Sequence, residues 1–265
     1  MVDKVVLLEV DARGVATVTL NRPKVFNGYN EDLLTSIQDA IVSLDTERSV
    51  RAVILKGAGK HFSAGADVNW FKKLSKATPE VRVAASQLST DTMRTLDECS
   101  KPTIALVQGA CFGGGAGYVS ACDVVIASED AQFAITEVRL GITPAPILTQ
   151  AIRALGIRQA RRYAVTAETF DVNRAKEIGF VHEICPVGEL DKAVEPIIDS
   201  ILRSGPIAVS RTKELARKYS GSNLSDETAT ELANISAAGR TTKEGIEGFS
   251  AFLEKRSPSW YSEGM

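Results

Sequence analysis

The chain has 265 residues, of which 44% are hydrophobic and 24% charged, with a net charge of −2. That is the profile of a soluble globular protein, long enough for one large domain or for a core with an appendage. It excludes the basic field that non-specific nucleic-acid binding needs, and four scattered cysteines with only two histidines, His61 and His182, exclude a zinc framework and fit a reducing compartment.

Met1–Val10 carries charges and lacks the apolar stretch of a signal peptide, and no apolar run is long enough to span a bilayer, so a cytoplasmic protein is expected. Val5–Val10 and Val15–Leu20 read as a hairpin turned by Asp11-Ala-Arg-Gly14. Asn30 caps an amphipathic helix with Leu33, Leu34, Ile37, Ile41 and Leu44 on one face. Ala52–Lys56 is a buried strand. After a loop at His61–Gly65 come a short helix over Val68–Leu74 and a longer one over Pro79–Cys99. Thr103–Val107, Asp123–Ala127 and Gln132–Ala134 read as further strands, with the glycine-dense segment Gly109–Gly117 opening a small-residue helix to Cys122. Strand, loop and helix recur, which is α/β organisation with right-handed crossovers.

Beyond about residue 145 the spacing is helical: Ile147–Leu155, Ile157–Val165, Val172–Ile178, Glu189–Leu202, Pro206–Tyr219, Thr228–Ala238 and Lys243–Lys255. A core domain is expected over 1–197 and a helical appendage over 198–265. The apolar positions of the appendage, among them Ile207, Val209, Leu215, Leu232, Ile235, Ile246, Phe249 and Phe252, make a thin core alone and predict packing against sister subunits.

The segment Gly109-Ala-Cys-Phe-Gly-Gly-Gly-Ala-Gly117 has two readings, a tight strand-to-helix turn or a loop whose amides meet a ligand at the positive end of a helix. No lysine follows it, so it is not a P-loop, and no acid lies where a dinucleotide-binding unit needs one. His61-Phe-Ser-Ala-Gly-Ala-Asp67 is a second small-residue turn. These two segments, with Asn21-Arg-Pro-Lys24, Asn27, Ala121-Cys-Asp123, Glu137-Val-Arg-Leu-Gly141, Arg161-Arg-Tyr163 and Gly248–Lys255, together resemble the enoyl-CoA hydratase/isomerase (crotonase) family. Each motif is weak alone; their order and spacing over nearly the whole chain are specific.

The resemblance implies a spiral of repeated ββα units with a C-terminal helical trimerisation region, assembled as a homotrimer or homohexamer. It implies an acyl-CoA substrate, with coenzyme A part of that substrate and no separate cofactor, metal, nucleic acid or membrane partner. It places an oxyanion hole on the backbone amides of Ala66 and Gly114, with Gly113 and Gly117 beside the substrate. Preorganised donors of this kind are worth about 2.7–4 kcal/mol each when charge develops on a thioester oxygen. Contacts to coenzyme A fall on Lys24, Val25, Asn27, Ala64, Asp67 and Val68. Phe252 and Lys255 match a segment that completes a neighbouring subunit's site. Read without the resemblance, Lys24 is a solvated charge and the Phe252–Lys255 segment an ordinary amphipathic helix.

Hydratases of this family flank a water with two glutamates. One of those positions is Glu137 here; the other is Gly117. An apolar setting, Phe133-Ala-Ile-Thr136 before and Val138 after, suits Glu137 to proton transfer; its plain reading is an exposed glutamate at a strand end. Three functions are left. The first is hydration of a 2-enoyl-CoA, with FGGGAG, Glu137–Pro146 and Ala160–Phe170 most resembling bacterial hydratases of methylglutaconyl-CoA and isohexenylglutaconyl-CoA. On that reading Thr143-Pro-Ala-Pro146 reshapes the acyl pocket, and Arg139 or Arg161 meets a distal substrate carboxylate. The second is Δ3–Δ2 enoyl-CoA isomerisation by a single glutamate. The third is binding of a CoA ligand or RNA without turnover, against which the net charge argues for RNA. Gly117→Glu is expected to raise hydration if the pocket admits a second acid.

Overall fold

The computed structural model describes residues 4–261; the first three residues of the segment read above as lacking a signal peptide lie outside them, as do the last four of the expected appendage. Strands β1 (Val6–Val10) and β2 (Val15–Leu20) form the expected antiparallel hairpin, and Asp11 stabilises its turn by accepting the N–H groups of Arg13 and Val15. Helix α1 (Glu31–Thr46) starts at Asn30, whose side chain accepts the Leu33 N–H at 3.0 Å, with Glu31 and Asp32 at the positive end of the helix. Then follow β3 (Ala52–Gly57), α2 (Val68–Ser75), α3 (Pro79–Glu98), β4 (Thr103–Val107), β5 (Ala110–Phe112), α4 (Gly114–Ala121), β6 (Val124–Ser128) and β7 (Gln132–Ala134). Helix α5 (Leu148–Thr166) is broken at Gly156, which has φ 72° and ψ 151°, so it makes the two helical pieces that the spacing predicts. β8 (Phe170–Asp171), α6 (Val172–Glu177), β9 (Glu183–Cys185), α7 (Leu190–Ala193), α8 (Glu195–Arg203), α9 (Pro206–Lys218), α10 (Asp226–Gly239) and α11 (Lys243–Glu254) complete the chain.

Two sheets stand side by side. The larger has the order β1-β2-β3-β4-β6-β9, all parallel except β1; the smaller has the order β5-β7-β8. Single bridges extend the smaller sheet, Ser63 pairing with Cys111 and Tyr29 with Ala66. Each turn of the chain therefore lays one strand in the large sheet, a short extended piece in the small one, and then a helix. The pieces are β2 with Tyr29, β3 with Ser63–Ala66, β4 with β5, and β6 with β7. This is the spiral of ββα units.

The middle of the large sheet is covered on both faces, which is why β3, β4 and β6 read as continuous apolar runs. Val18, Val53, Leu55, Ala105, Val107 and Val125 face the main core under α1, α3, α4 and α5. Their alternates Val15, Ile54, Ile104, Leu106 and Ile126 face a second core closed by Val194, Ile198 and Leu202.

That second core moves the expected boundary at 197/198. The boundary falls inside α8, whose Ile198 and Leu202 are buried against the sheet. The chain leaves the core at Ser204 and Gly205, ahead of α9. The span expected as one helix over Glu189–Leu202 is two, α7 and α8, because Pro196 has no N–H to continue a helix and fits the first turn of a new one. Strands β5, β8 and β9 carry no periodicity at two or three residues each and were not expected.

Phe133 on β7 is fully buried, stacked on Phe170 at 5.6 Å and edge-on to Phe180 at 5.4 Å. Phe133→Ala is expected to lose about 3–5 kcal/mol of stability in denaturant titration.

Candidate active site

The two small-residue segments meet. The Ser63 N–H donates to the Ala110 carbonyl at 3.1 Å and the Phe112 N–H to the Ser63 carbonyl at 2.9 Å, so 63–67 and 110–112 run in parallel. His61 ties them again, its Nδ1 accepting the Ala110 N–H at 3.0 Å. On the other side Tyr29 donates its N–H to the Gly65 carbonyl and accepts the Asp67 N–H, at 2.9 and 2.8 Å. In a parallel pairing of this kind the residue between those two bonds turns its own N–H away. That residue is Ala66, and its N–H has no acceptor among the described residues.

Gly114 is the first residue of α4, where helix geometry leaves N–H groups unpaired. The preceding Gly113 has φ 53° and ψ −122°, a conformation only glycine adopts readily, and donates its own N–H to the Ala134 carbonyl at 2.9 Å. That bond leaves the Gly114 amide free at the positive end of the helix. A side chain on Gly114 meets the Tyr29 ring, with Cζ at 3.0 Å and Cδ1 at 3.1 Å from a Cβ placed there. Tyr29 thus touches both amide-bearing turns, one with its backbone and the other with its ring.

Glu137 opens a 3-10 turn over Glu137–Leu140, after β7. Its Oε1 lies 3.0 Å from where a Gly113 Cβ would stand, and its Oε2 is buried without a hydrogen-bond partner. Burial pushes the Glu137 carboxyl above the usual carboxylate range. The plain alternative, a solvated glutamate at a strand end, is not what the structure has. Gly117, the position of the second family glutamate, is a helix residue packed against Ile147 and Met93: a Cβ there lies 2.9 Å from Ile147 Cβ and 3.1 Å from Met93 Sδ. The condition under which Gly117→Glu was expected to add an acid is therefore not met; the space is filled with apolar side chains.

The residues expected to meet coenzyme A divide. Lys24, Val25, Ala64 and Val68 are exposed and share one rim, joined where the Ala64 N–H donates to the Phe26 carbonyl at 2.9 Å. Asn27 and Asp67 do not present their side chains there. Asn27 is fully buried; its Oδ1 accepts the Arg22 N–H and its Nδ2 donates to the Ala58 and His61 carbonyls, so it holds the loop rather than a ligand. Asp67 caps α2 through the Asn69 and Trp70 amides and pairs with Arg22 at 2.7 Å. Burial alone would raise the Asp67 carboxyl, but the hydrogen bonds from Arg22 and the two amides outweigh it and hold the group below its ordinary value. Phe252 and Lys255 lie on and just after α11, by a groove of about 930 Å³ that α11 shares with α9 and α10, so the chain does not bring them to Glu137. Tyr29, Met93 and Ile147 were missed: each meets the glycine loop only through the fold, with no local pattern to mark it.

Among the described residues no group of three His, Cys, Asp or Glu side chains is placed to hold a metal, and no helix is long and apolar enough to cross a membrane. The chemistry on offer is two unpaired amides and one buried carboxyl, which suits transient negative charge on a carbonyl oxygen with proton transfer beside it. A carboxyl whose pKa is raised on folding binds its proton more tightly in the folded state. Stability therefore falls as pH rises from the ordinary carboxylate range through the raised value. Glu137→Gln is expected to be more stable than the parent at neutral pH, with the gain shrinking as pH is lowered through the raised value toward the ordinary carboxylate range, measured by denaturant titration at several pH values.

The sequence model of the enoyl-CoA hydratase/isomerase family matches residues 11–263. The chain is 35% identical over 253 residues to the short-chain-enoyl-CoA hydratase of Clostridium acetobutylicum, covering 95% of each chain. It is 32% identical to the peroxisomal Delta(3,5)-Delta(2,4)-dienoyl-CoA isomerase of Arabidopsis thaliana, covering 90% of each. The crystal structure of an enoyl-CoA hydratase from Shewanella pealeana superposes with a TM-score of 0.93 at 37% identity, covering 97% of this chain and 96% of that one. Likeness of this extent in sequence and in fold shows that the chain belongs to the enoyl-CoA hydratase/isomerase family, acting on acyl-CoA thioesters.

Proposed function

We propose that this enzyme adds water across the 2,3 double bond of a 2-enoyl-CoA, with branched or glutaconyl-type acyl groups as its substrates. The observation that carries the reading is the Glu137 carboxyl, with one unpartnered oxygen, held against the turn that carries the free Gly114 amide. The thioester oxygen lies between the Ala66 and Gly114 N–H groups. Glu137 takes a proton from water as the water oxygen bonds to C3. The π electrons of the double bond pass to the thioester oxygen, and the enolate then collects the same proton from Glu137 at C2. One carboxyl suffices if it faces both carbons, and its raised proton affinity suits it to give the proton back.

Two features support the acyl preference. Ile147 and Met93 line the place of the second acid with apolar surface. Arg139, in the same turn as Glu137, and Arg161, on α5, are exposed and have no carboxylate within ion-pair distance among the described residues, leaving either able to meet a distal substrate carboxylate. Lys24, Val25, Ala64 and Val68 form the rim on which the coenzyme A portion rests.

The apolar wall at Gly117 also favours a second reading, isomerisation, in which Glu137 removes a C2 proton from a 3-enoyl-CoA and returns one at C4. Crotonyl-CoA, 3-methylglutaconyl-CoA and a 3-enoyl-CoA incubated in ¹⁸O-water and read by mass spectrometry separate the two. Hydration predicts a labelled water gained by at least one 2-enoyl substrate, and Glu137→Gln lowering that turnover by about 100-fold or more. Conjugation of the 3-enoyl substrate without label, and no water gained by the others, selects isomerisation. Turnover unchanged in Glu137→Gln removes Glu137 from either mechanism.

Copies of the chain associate, on this reading, through the C-terminal helices as a trimer or hexamer. Neither α9 nor α10 buries a residue within the chain, and Phe249, Phe252 and Leu253 on α11 are exposed at 57%, 79% and 77%. Light scattering is expected to return three or six chain masses; a monomer overturns it.

A further inference from the structure

Conjugate addition needs its water held in line with C3, and the glutamate that shares this task elsewhere in the family is absent at Gly117. Another polar group stands beside the same glycine loop, Tyr29. Its ring lies on Gly114, the residue whose amide takes the thioester oxygen. C2 and C3 are the next atoms along the acyl chain from that carbonyl, so a group on Gly114 sits at the reacting atoms and not at the far end of the acyl pocket. Glu137 is on the neighbouring residue of the same loop, against Gly113. The Tyr29 hydroxyl makes no hydrogen bond among the described residues and, unlike that of Tyr118 packed edge-on behind it, is not sealed inside the protein. Its ring is braced by Trp70 at 5.7 Å and Tyr118 at 6.4 Å, and its backbone is clamped to Gly65 and Asp67, so the hydroxyl is carried on a fixed frame.

We propose that the Tyr29 hydroxyl holds the nucleophilic water, its oxygen accepting one O–H of the water while Glu137 takes the proton of the other. Tyr29 neither gains nor loses a proton in the step. The water proton goes to Glu137, the new bond is oxygen to C3, and the displaced π electrons rest on the thioester oxygen at Ala66 and Gly114. Burial, and after it the charge of Glu137, push the Tyr29 hydroxyl above its ordinary value, which keeps it protonated and leaves Glu137 as the only base. This rests on the hydration reading of the same site.

The test compares the parent, Tyr29→Phe and Tyr118→Phe in two reactions. One is hydration of whichever 2-enoyl-CoA the parent turns over. The other is exchange of the C2 protons of butyryl-CoA in D₂O, read by mass spectrometry, which needs Glu137 and the two amides but no attack at C3. Tyr29→Phe keeps the ring on Gly114, so the oxyanion amides stay in place. It is expected to lower kcat for hydration by about 10- to 100-fold, as for a misplaced reactant, with KM and C2 exchange each within about twofold of the parent. Tyr118→Phe is expected to hydrate like the parent. Hydration unchanged in Tyr29→Phe, hydration and exchange falling together, or a raised KM at unchanged kcat each overturns the assignment of Tyr29 while leaving the hydratase reading intact. A parent that hydrates no enoyl-CoA overturns both.

Discussion

Two backbone N–H groups, those of Ala66 and Gly114, that have no acceptor among the described residues are the constraint around which the paired turns are arranged. A buried donor left unpaired costs about 1–3 kcal/mol, so it persists only where neighbouring bonds leave the backbone no other choice. Here the neighbours are paired on both sides. Tyr29 binds Gly65 and Asp67 and leaves Ala66 between them; Gly113 binds Ala134 and leaves Gly114 at the start of α4. Buried Asn27 and the His61 ring brace the same loops from behind. The small sheet, only two or three residues deep per strand, is the part of the fold that supplies those bonds.

Around that fixed pair the distribution of charge is sparse. Glu137, against Gly113, is half-buried with an unpartnered oxygen, an arrangement that weakens the fold and suits a group that takes and returns a proton. The neighbouring carboxylate Asp67 is the opposite case, its oxygens spent on a helix cap and an arginine. Two acids thus differ because their surroundings differ: Asp67 is spent on framework, and Glu137 keeps an oxygen unpartnered. At Gly117, where the family resemblance implies a second acid, Ile147 and Met93 pack on the glycine, so the surface there is apolar.

The core and the C-terminal helices obey different packing rules. Through α8 the buried side chains fall into two cores, one on each face of the large sheet, and the strands of that sheet alternate between them. From α9 onward the helices bury almost nothing within their own chain, and their large apolar residues face outward along a wide groove. The capped, regular helices show that this region is folded; what it lacks is a covering surface.

Much of this was legible in the sequence. The family resemblance, and no local pattern, proposed Ala66, Gly114 and Glu137 as the site. Apolar runs marked β1, β2, β3, β4 and β6 of the large sheet, Asn30 marked a helix start, and the gap between Ile147–Leu155 and Ile157–Val165 marked a break. Those signals are local: a cap, a turn or an apolar face lies within a few residues. What only the tertiary structure decided are contacts between distant segments. The resemblance put Asn27 and Asp67 with the ligand, whereas the fold spends their side chains on loops. The space beside Gly117 is occupied by Ile147 and Met93, and nothing in the sequence hinted that the Tyr29 ring would lie on Gly114. Small residues can be read as space for something, but what fills the space is set by which loops the sheets bring together.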